Sequence, residues 1–76
     1  MLLLTIRHFR IFIAVAKTES ITKAAEELNM AQPAVSFAIR ELESYYGTKL
    51  FERMNRRLYI TDAGKQLLVY ADSVLA

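Results

Sequence analysis

Residues 20–40 read SITKAAEELNMAQPAVSFAIR, and this run predicts two short helices joined by a tight turn. Ser20 is a suitable N-cap for a helix over 21–28, because its hydroxyl can accept a hydrogen bond from an exposed backbone N–H. Asn29 follows directly and tolerates the left-handed conformation that ends a helix. We expect the second helix to begin at Gln32 and Pro33, since proline suits a first turn. The connection between the two helices is therefore very short.

The spacing of apolar residues indicates which side of each helix faces the core. In the helix over 21–28, Ala24, Ala25 and Leu28 form an inner face of small residues, so that a neighbouring helix can approach closely. The second helix is expected to run to residue 45 or 46 and to stop at Gly47. At about 100° per residue, it separates into an apolar and a polar face. The apolar face holds Val35, Ala38, Ile39, Leu42 and Tyr46, and the polar face holds Gln32, Pro33, Ser36, Phe37, Arg40 and Glu43.

Helical periodicity also predicts a first helix over 5–17 and a last helix that starts after Thr61. The helix over 5–17 carries one apolar stripe. Further apolar residues widen this stripe so far that we expect other parts of the structure to cover the helix on two sides. Thr61 caps the last helix, whose apolar positions spread over an arc of roughly 160°. The stripe of the first helix is Ile6, Phe9, Ile13 and Ala16, widened by Ile11, Phe12 and Val15; the last helix contributes Ala63, Leu67, Leu68, Tyr70, Ala71, Val74 and Leu75.

Between these helices the period changes to that of β structure. Residues 49–53 and 57–61 are short strand-like runs with a turn at 54–56. Leu58 and Ile60 alternate with Arg57 and Tyr59, as a half-buried hairpin strand requires. The pattern therefore predicts a mainly α fold, a winged helix-turn-helix with a three-helix core and a two-stranded β wing, over residues 1–61. The start of a long helix follows over 62–76.

Composition limits what the chain can do. It has 76 residues, enough for one domain, and 54% of them are hydrophobic, which is more than one small core hides. We therefore expect a partner chain, or sequence beyond this chain, to cover the surplus apolar surface. The apolar run over residues 1–4 is too short for a membrane span or a signal-peptide core, so a cytoplasmic protein is expected. A net charge of +2 and a pI near 9.2 favour a nucleic-acid partner only weakly.

Enzymatic and metal chemistry are not supported by the residues present. The chain has no cysteine and one histidine, His8, so a multi-residue metal centre or a nucleophile–base pair cannot be assembled. Gly47 and Gly64 are the only glycines, which excludes a phosphate-cradling glycine loop. His8 is expected to be a surface or interface residue. We predict no enzyme activity, no metal and no cofactor in this domain.

A helix-turn-helix followed by a hairpin suggests binding to double-stranded DNA, with the second helix in the major groove. Gln32 and Ser36 lie where base edges are reached; glutamine can pair bidentately with adenine, and serine can bind a base or a phosphate. A solvated polar surface is the alternative for both. Pro33 either touches a thymine methyl group or serves only as a first-turn proline.

The remaining candidates also have two interpretations each. Phe37 contacts a thymine methyl or a deoxyribose, or else packs on the surface of its own domain. Arg40 binds phosphate, or forms an exposed salt bridge with Glu43 that would contribute little. Arg53 and Arg56 are expected to bind the DNA backbone or the minor groove. Arg57 is a weaker candidate, since strand alternation can point it to solvent, and Lys23 and Lys49 are generic basic residues.

As a set, six motifs resemble the LysR-type transcriptional regulators, from about residue 6 onward. They are SITKAAEEL at 20–28, QPAVS at 32–36, IRELE at 39–43, LFER at 50–53, RR at 56–57 and ITDAG at 60–64. Two positions depart from the family pattern. Ala31 stands where serine or threonine is usual, at a cost of about 1 kcal/mol in capping. Asn55 replaces a common glycine at the tip of the wing.

The resemblance implies that the chain is the N-terminal DNA-binding part of a longer bacterial regulator. A C-terminal domain, beyond this chain, would bind a small-molecule effector. The last helix would be a linker helix through which two copies form a homodimer, matching the two-fold symmetry of an operator. Higher oligomers are possible for the full-length protein. The residues implied in dimerisation are Leu67, Leu68, Ala71, Val74 and Leu75.

A winged-helix module that binds another protein is the alternative function. An acidic or apolar outer face on the second helix would favour it. On that face only Glu43 is acidic and only Phe37 is a large apolar residue.

Overall fold

A computed structural model describes the backbone of residues 5–75 and the side chains of residues 5–73. Residues 1–4, which include the short apolar run, and residue 76 lie outside this range. The mainly α winged helix-turn-helix predicted from the sequence is confirmed. In chain order the elements are α1 (Ile6–Thr18), α2 (Ile21–Leu28), α3 (Gln32–Tyr46), β1 (Phe51–Met54), β2 (Arg57–Ile60) and α4 (Asp62–Leu75).

The ends of α2 and α3 form as their residues predict. The N–H of Lys23 donates to Ser20 Oγ at 3.1 Å, which satisfies a donor that the helix itself cannot pair. Asn29 ends α2 in the left-handed conformation with φ 54°, and Gly47 ends α3 with φ 68°. Ala31 precedes α3 in an extended conformation and provides no side-chain cap, in keeping with its departure from the family pattern. The turn between the helices therefore has a fixed geometry.

The core forms where α1, α2 and α3 meet, and α4 closes it from one side. Ala24 and Ala25 are buried against Val35, so the small residues of α2 do allow α3 to approach closely. Among the largest fully buried side chains are Phe12 and Leu42, which contribute most to the apolar surface removed from water. Tyr46, predicted on the buried face of α3, is instead 40% exposed, because it lies in the last turn where the core ends.

The inner face of α1 differs from the predicted stripe. Ile6 is exposed, and Phe9, Ile13 and Ala16 are only partly buried. The buried residues are those treated as the widening of the stripe, namely Ile11, Phe12 and Val15. The reason is that α1 packs against α2, α3 and α4, so tertiary packing and not the most regular apolar spacing decides its orientation. The predicted cover on two sides is confirmed.

The wing is a short antiparallel hairpin in which Met54 pairs with Arg57. Asn55 and Arg56 form its two-residue turn with φ of 51° and 65°. Two positive φ angles are characteristic of a type I′ turn, which suits the twist of a hairpin. Leu58 and Ile60 are half-buried while Arg57 and Tyr59 are exposed, as the alternation predicts.

The hairpin is shorter than the predicted strands over 49–53 and 57–61. Thr61 replaces the missing ladder bonds: its N–H donates to Leu50 O at 3.0 Å, and its hydroxyl donates to Lys49 O at 2.7 Å. The same hydroxyl accepts the N–H of Gly64 at 3.0 Å and so caps α4, as predicted. One side chain thus joins the base of the wing to the last helix.

Gly64 lies where α4 crosses the base of the wing. A Cβ atom at this position would collide with the backbone O of Leu50 and would lie 2.6 Å from Cγ1 of Ile60. Glycine is therefore required by the close approach of two backbones. Gly47 is required for a different reason, since its φ is positive but its surroundings are open.

Each helix described within residues 5–75 is too short or too polar to span a lipid bilayer.

The surroundings of Gly64 and Gly47 yield a prediction about the stability of the domain. Gly64→Ala should lower the free energy of unfolding by about 3 kcal/mol, because overpacking against a backbone carbonyl cannot relax easily. Gly47→Ala should cost only about 1 kcal/mol, the typical penalty of a left-handed alanine. Urea denaturation of the two variants measures both values. A Gly64→Ala variant that is no less stable than Gly47→Ala would contradict the close packing of α4 on the wing.

Candidate nucleic-acid interface

A polar groove runs between the first turns of α2 and α3 on one side and the wing on the other. We call it the wing groove; its volume is about 230 Å³. Four of the side chains predicted to bind DNA are thereby brought together: Gln32 and Ser36 from α3, and Arg53 and Arg56 from the wing. The groove is lined by Glu19, Ser20, Ile21, Thr22, Gln32, Ser36, Arg53, Arg56, Arg57 and Leu58.

The two faces of α3 are arranged as predicted. Val35 and Ile39 are buried, while Gln32 and Arg40 are exposed and Ser36 is half-buried. Pro33 is exposed in the first turn, where a missing N–H costs nothing. The apolar face therefore anchors the helix to the core, and the polar face is available to a ligand.

The wing groove is electropositive. Arg53, Arg56 and Arg57 all line it, including the arginine that strand alternation left in doubt. Among the described residues of its lining, Glu19 alone is acidic. The N-terminal ends of α2 and α3 open on the same groove and carry the partial positive charge of their helix dipoles. This arrangement favours a polyanion.

Ile21 and Thr22 line the wing groove but are not among the residues predicted to bind DNA. They sit in the first turn of α2, directly after the Ser20 cap. Sequence spacing gave no signal for them, because the short turn over 29–31 brings the end of α2, and not its start, to the start of α3. A second groove of about 210 Å³ lies between α3 and the wing, and it adds Lys49 beside Arg40 and Arg53.

Glu43 has a structural role that the sequence did not predict: its carboxylate binds the backbone before the wing. Its Oε2 accepts the N–H of Leu50 at 2.9 Å, and the N–H of Phe51 lies at 3.4 Å. The Glu43 carboxylate thus ties α3 to the start of the wing. The predicted alternative, a salt bridge between Arg40 and Glu43, is wrong, because within residues 5–73 the ion pair that forms joins His8 to Glu41. Arg40 instead places its guanidinium carbon 6.0 Å from the centre of the Phe37 ring.

His8 joins the start of α1 to α3. Its Nε2 lies 3.0 Å from Glu41 Oε1, and its Nδ1 accepts the N–H of Thr5 at 3.2 Å. The ring is half-buried, so it lies at an interface between helices, one of the two placements expected for it.

Tyrosines gather at the opposite end of α3 from the wing groove. The rings of Tyr45 and Tyr46 meet edge to face with centroids 5.0 Å apart, and Tyr70 of α4 borders the same shallow hollow. Burial raises the pKa of Tyr46 above its usual value of 10.0, and the neighbouring Tyr45 and Tyr70 raise it further. The phenol of Tyr46 is therefore neutral at physiological pH.

The predicted dimerisation residues are placed differently from one another. Leu67 and Ala71 are buried in the core cluster of the single chain. Their assignment to a contact between two chains is therefore corrected. Leu68 is half-buried. The side chains of Val74 and Leu75 lie outside the described residues.

The outward face of α4 carries apolar residues that were not among the predicted dimer contacts. Val69 is 73% exposed and Tyr70 is 57% exposed. Tyr70 was counted in the apolar arc of the last helix. The width of that arc does not show which of its residues are buried within the single chain. Among the described residues of α4, Val69 and Tyr70 are the large apolar side chains most exposed to a second chain.

Comparison with known proteins identifies the family. Residues 6–65 match the family of bacterial regulatory helix-turn-helix proteins called the lysR family. The HTH-type transcriptional regulator CfxR of Cupriavidus necator is 46% identical over 72 residues, which are 95% of this chain and 23% of that protein. The RuBisCO operon transcriptional regulator of Allochromatium vinosum is 43% identical over 92% of this chain and 23% of its own length. This chain therefore spans about a quarter of the length of these relatives.

Solved structures agree with this assignment. The DNA-binding domain of BenM in complex with benA site 1 DNA has a TM-score of 0.89 and 40% identity, over 95% of this chain and 81% of that one. The DNA-binding domain of CbnR in complex with DNA has a TM-score of 0.90 and 33% identity, over 95% and 83%. The relatives are named as regulators of transcription, and these two neighbours are DNA-bound domains. The chain is a DNA-binding winged helix-turn-helix domain and belongs to the LysR family of bacterial regulators.

Proposed function

We propose that this domain binds a specific sequence of double-stranded DNA, with α3 in the major groove and the wing arginines on the backbone or in the adjacent minor groove. The observation that carries this proposal is the wing groove, where the polar start of α3 and three arginines line one surface. The major groove is about 12 Å wide and admits one α-helix. The exposed face of α3 is the face that would enter it.

Each side chain has a role that follows from its chemistry. Gln32 and Ser36, at the start of α3, reach base edges, where Gln32 can pair bidentately with adenine. Pro33 lies beside them, where it contacts a thymine methyl group. Arg53 and Arg56 bind phosphates or the minor groove, and Arg40 binds phosphate. Base contacts then determine the sequence read, and phosphate contacts hold the domain in register.

Loss of one wing arginine should weaken binding to every duplex alike. Arg53→Ala removes one phosphate contact, so the slope of log affinity against log salt should become less steep by about 0.9. The measurement is a fluorescence-anisotropy titration at several salt concentrations with two unrelated duplexes.

Arg10→Ala is the matched control, because Arg10 is an exposed arginine of α1 that does not line the wing groove. The control changes the net charge equally and should leave most of the affinity and the slope in place. Equal effects of the two substitutions would mean that total charge, and not the wing, binds DNA.

Loss of Gln32 should affect one base position only. In Gln32→Ala, preference at the base pair that Gln32 reads should fall by about 1–3 kcal/mol, with little change in affinity for unrelated DNA. A competition series with every single-base variant of the bound site measures this. Gln66→Ala is the control, since Gln66 is exposed on α4. An unchanged preference at every position in Gln32→Ala would exclude a base contact by this residue.

We further propose that the domain acts as the N-terminal part of a longer regulator in the bacterial cytoplasm, where the chromosome lies. It would form a homodimer through α4, and a further domain would bind a small-molecule effector. Exposed Val69 and Tyr70 support the dimer, because a second α4 could cover them. Two-fold symmetry would match two half-sites of an operator.

The dimer proposal predicts a change in association state. Val69→Asp should shift the chain towards the monomer in sedimentation equilibrium, because a carboxylate in an apolar contact is costly to desolvate. Met54→Asp is the control: it places the same charge on an exposed apolar position of the wing. A wild-type chain that remains monomeric at high protein concentration, or a Val69→Asp chain that dimerises equally well, would refute association through this face.

A further inference from the structure

Phe37 is an apolar side chain on the polar face of α3. It is 56% exposed and lies outside the core cluster, so packing on its own domain does not account for it. At about 100° per residue, Phe37 lies about 40° around the helix from Pro33 and about 60° from Arg40. It therefore belongs to the sector of α3 that would face the DNA.

The ring of Phe37 is partly held in place by Arg40. The Arg40 guanidinium carbon lies 6.0 Å from the ring centre, at the outer limit of a cation–π contact. Helical side chains lean towards the N-terminus, so a residue at i+3 extends back over residue i. Arg40 thus borders one side of the ring and carries the charge that would reach a phosphate. The rest of the ring is left open to a ligand.

The chemistry of the major groove restricts what such a ring can recognise. The base edges there display hydrogen-bond donors and acceptors, for which a phenyl ring has no partner. The one apolar group among them is the C5-methyl of thymine. A phenyl ring placed against donors or acceptors would remove them from water without replacing their hydrogen bonds. An exposed phenylalanine in this position therefore favours thymine over the other bases.

We propose that Phe37 is a specificity-determining residue that reads the C5-methyl of one thymine in each half-site, with Arg40 as its positioning neighbour. This inference rests on the proposed function, since it requires α3 in the major groove. Binding would then depend on the methyl group of a thymine. Hydrogen-bonding residues such as Gln32 and Ser36 do not impose this requirement, because a methyl group neither donates nor accepts a hydrogen bond.

The test uses the 76-residue chain and proceeds in two stages. Duplexes are first selected from a random pool by binding to the wild-type chain. Each thymine of the selected duplex is then replaced, one at a time, by deoxyuridine, which removes the methyl group and keeps the base pair. Affinities are measured for wild type, for Phe37→Ala and for Tyr45→Ala, a control that removes an equally exposed aromatic ring at the far end of α3.

We expect one thymine whose replacement weakens wild-type binding about fourfold, the value expected for one methyl-sized group removed from water. Phe37→Ala should bind the thymine duplex as weakly as wild type binds the uracil duplex. It should also show no further loss with uracil. Tyr45→Ala should keep the fourfold response. Unchanged thermal midpoints of both variants would exclude unfolding as the cause.

Two results would overturn the proposal. One is a selected duplex in which no thymine methyl affects wild-type binding. The other is a methyl effect that persists in Phe37→Ala, which would assign the contact to another residue. Failure of the first stage is a separate outcome: if selection enriches no sequence, sequence-specific binding itself fails, and the role of Phe37 falls with it.

Discussion

The close contact between α2 and α3 determines everything that this domain presents to a ligand. Ala24 and Ala25 leave α2 without bulk on its inner face, so Val35 of α3 packs directly against it. Larger side chains would push the helices apart and move the start of α3 away from the start of α2. The wing groove exists because these two helix ends are neighbours. An interaction deep in the core thus places the polar residues of α3 at the surface.

Local sequence rules predicted α2, α3 and their ends almost without error, because each boundary is set by a residue of special conformation. Ser20 caps, Asn29 and Gly47 adopt the left-handed form, and proline fits a first turn. The orientation of α1 could not be obtained in the same way. Three helices pack against it, so most of its surface is apolar, and only tertiary packing shows that Phe12 faces inward.

The candidate site was predicted to a similar degree, and the failures share one cause. Residues whose position depends on a single local element, such as Gln32 on the outward face of α3 and Arg53 on the wing, lie on the predicted elements. Residues whose role depends on a distant element were not predicted correctly. Glu43 bonds the backbone of Leu50, seven positions later, and Leu67 is buried in the core of its own chain. Spacing along one helix carries no information about such partners.

The bond from Glu43 to the backbone of Leu50 ties α3 to the start of the wing. This tie restrains the separation between the helix and the wing, so the protein adapts less to each duplex. Any mismatch in width must be absorbed by the nucleic acid, at a cost that depends on how easily its steps bend or narrow. The restraint at Leu50 would thereby make binding depend on the shape of the DNA.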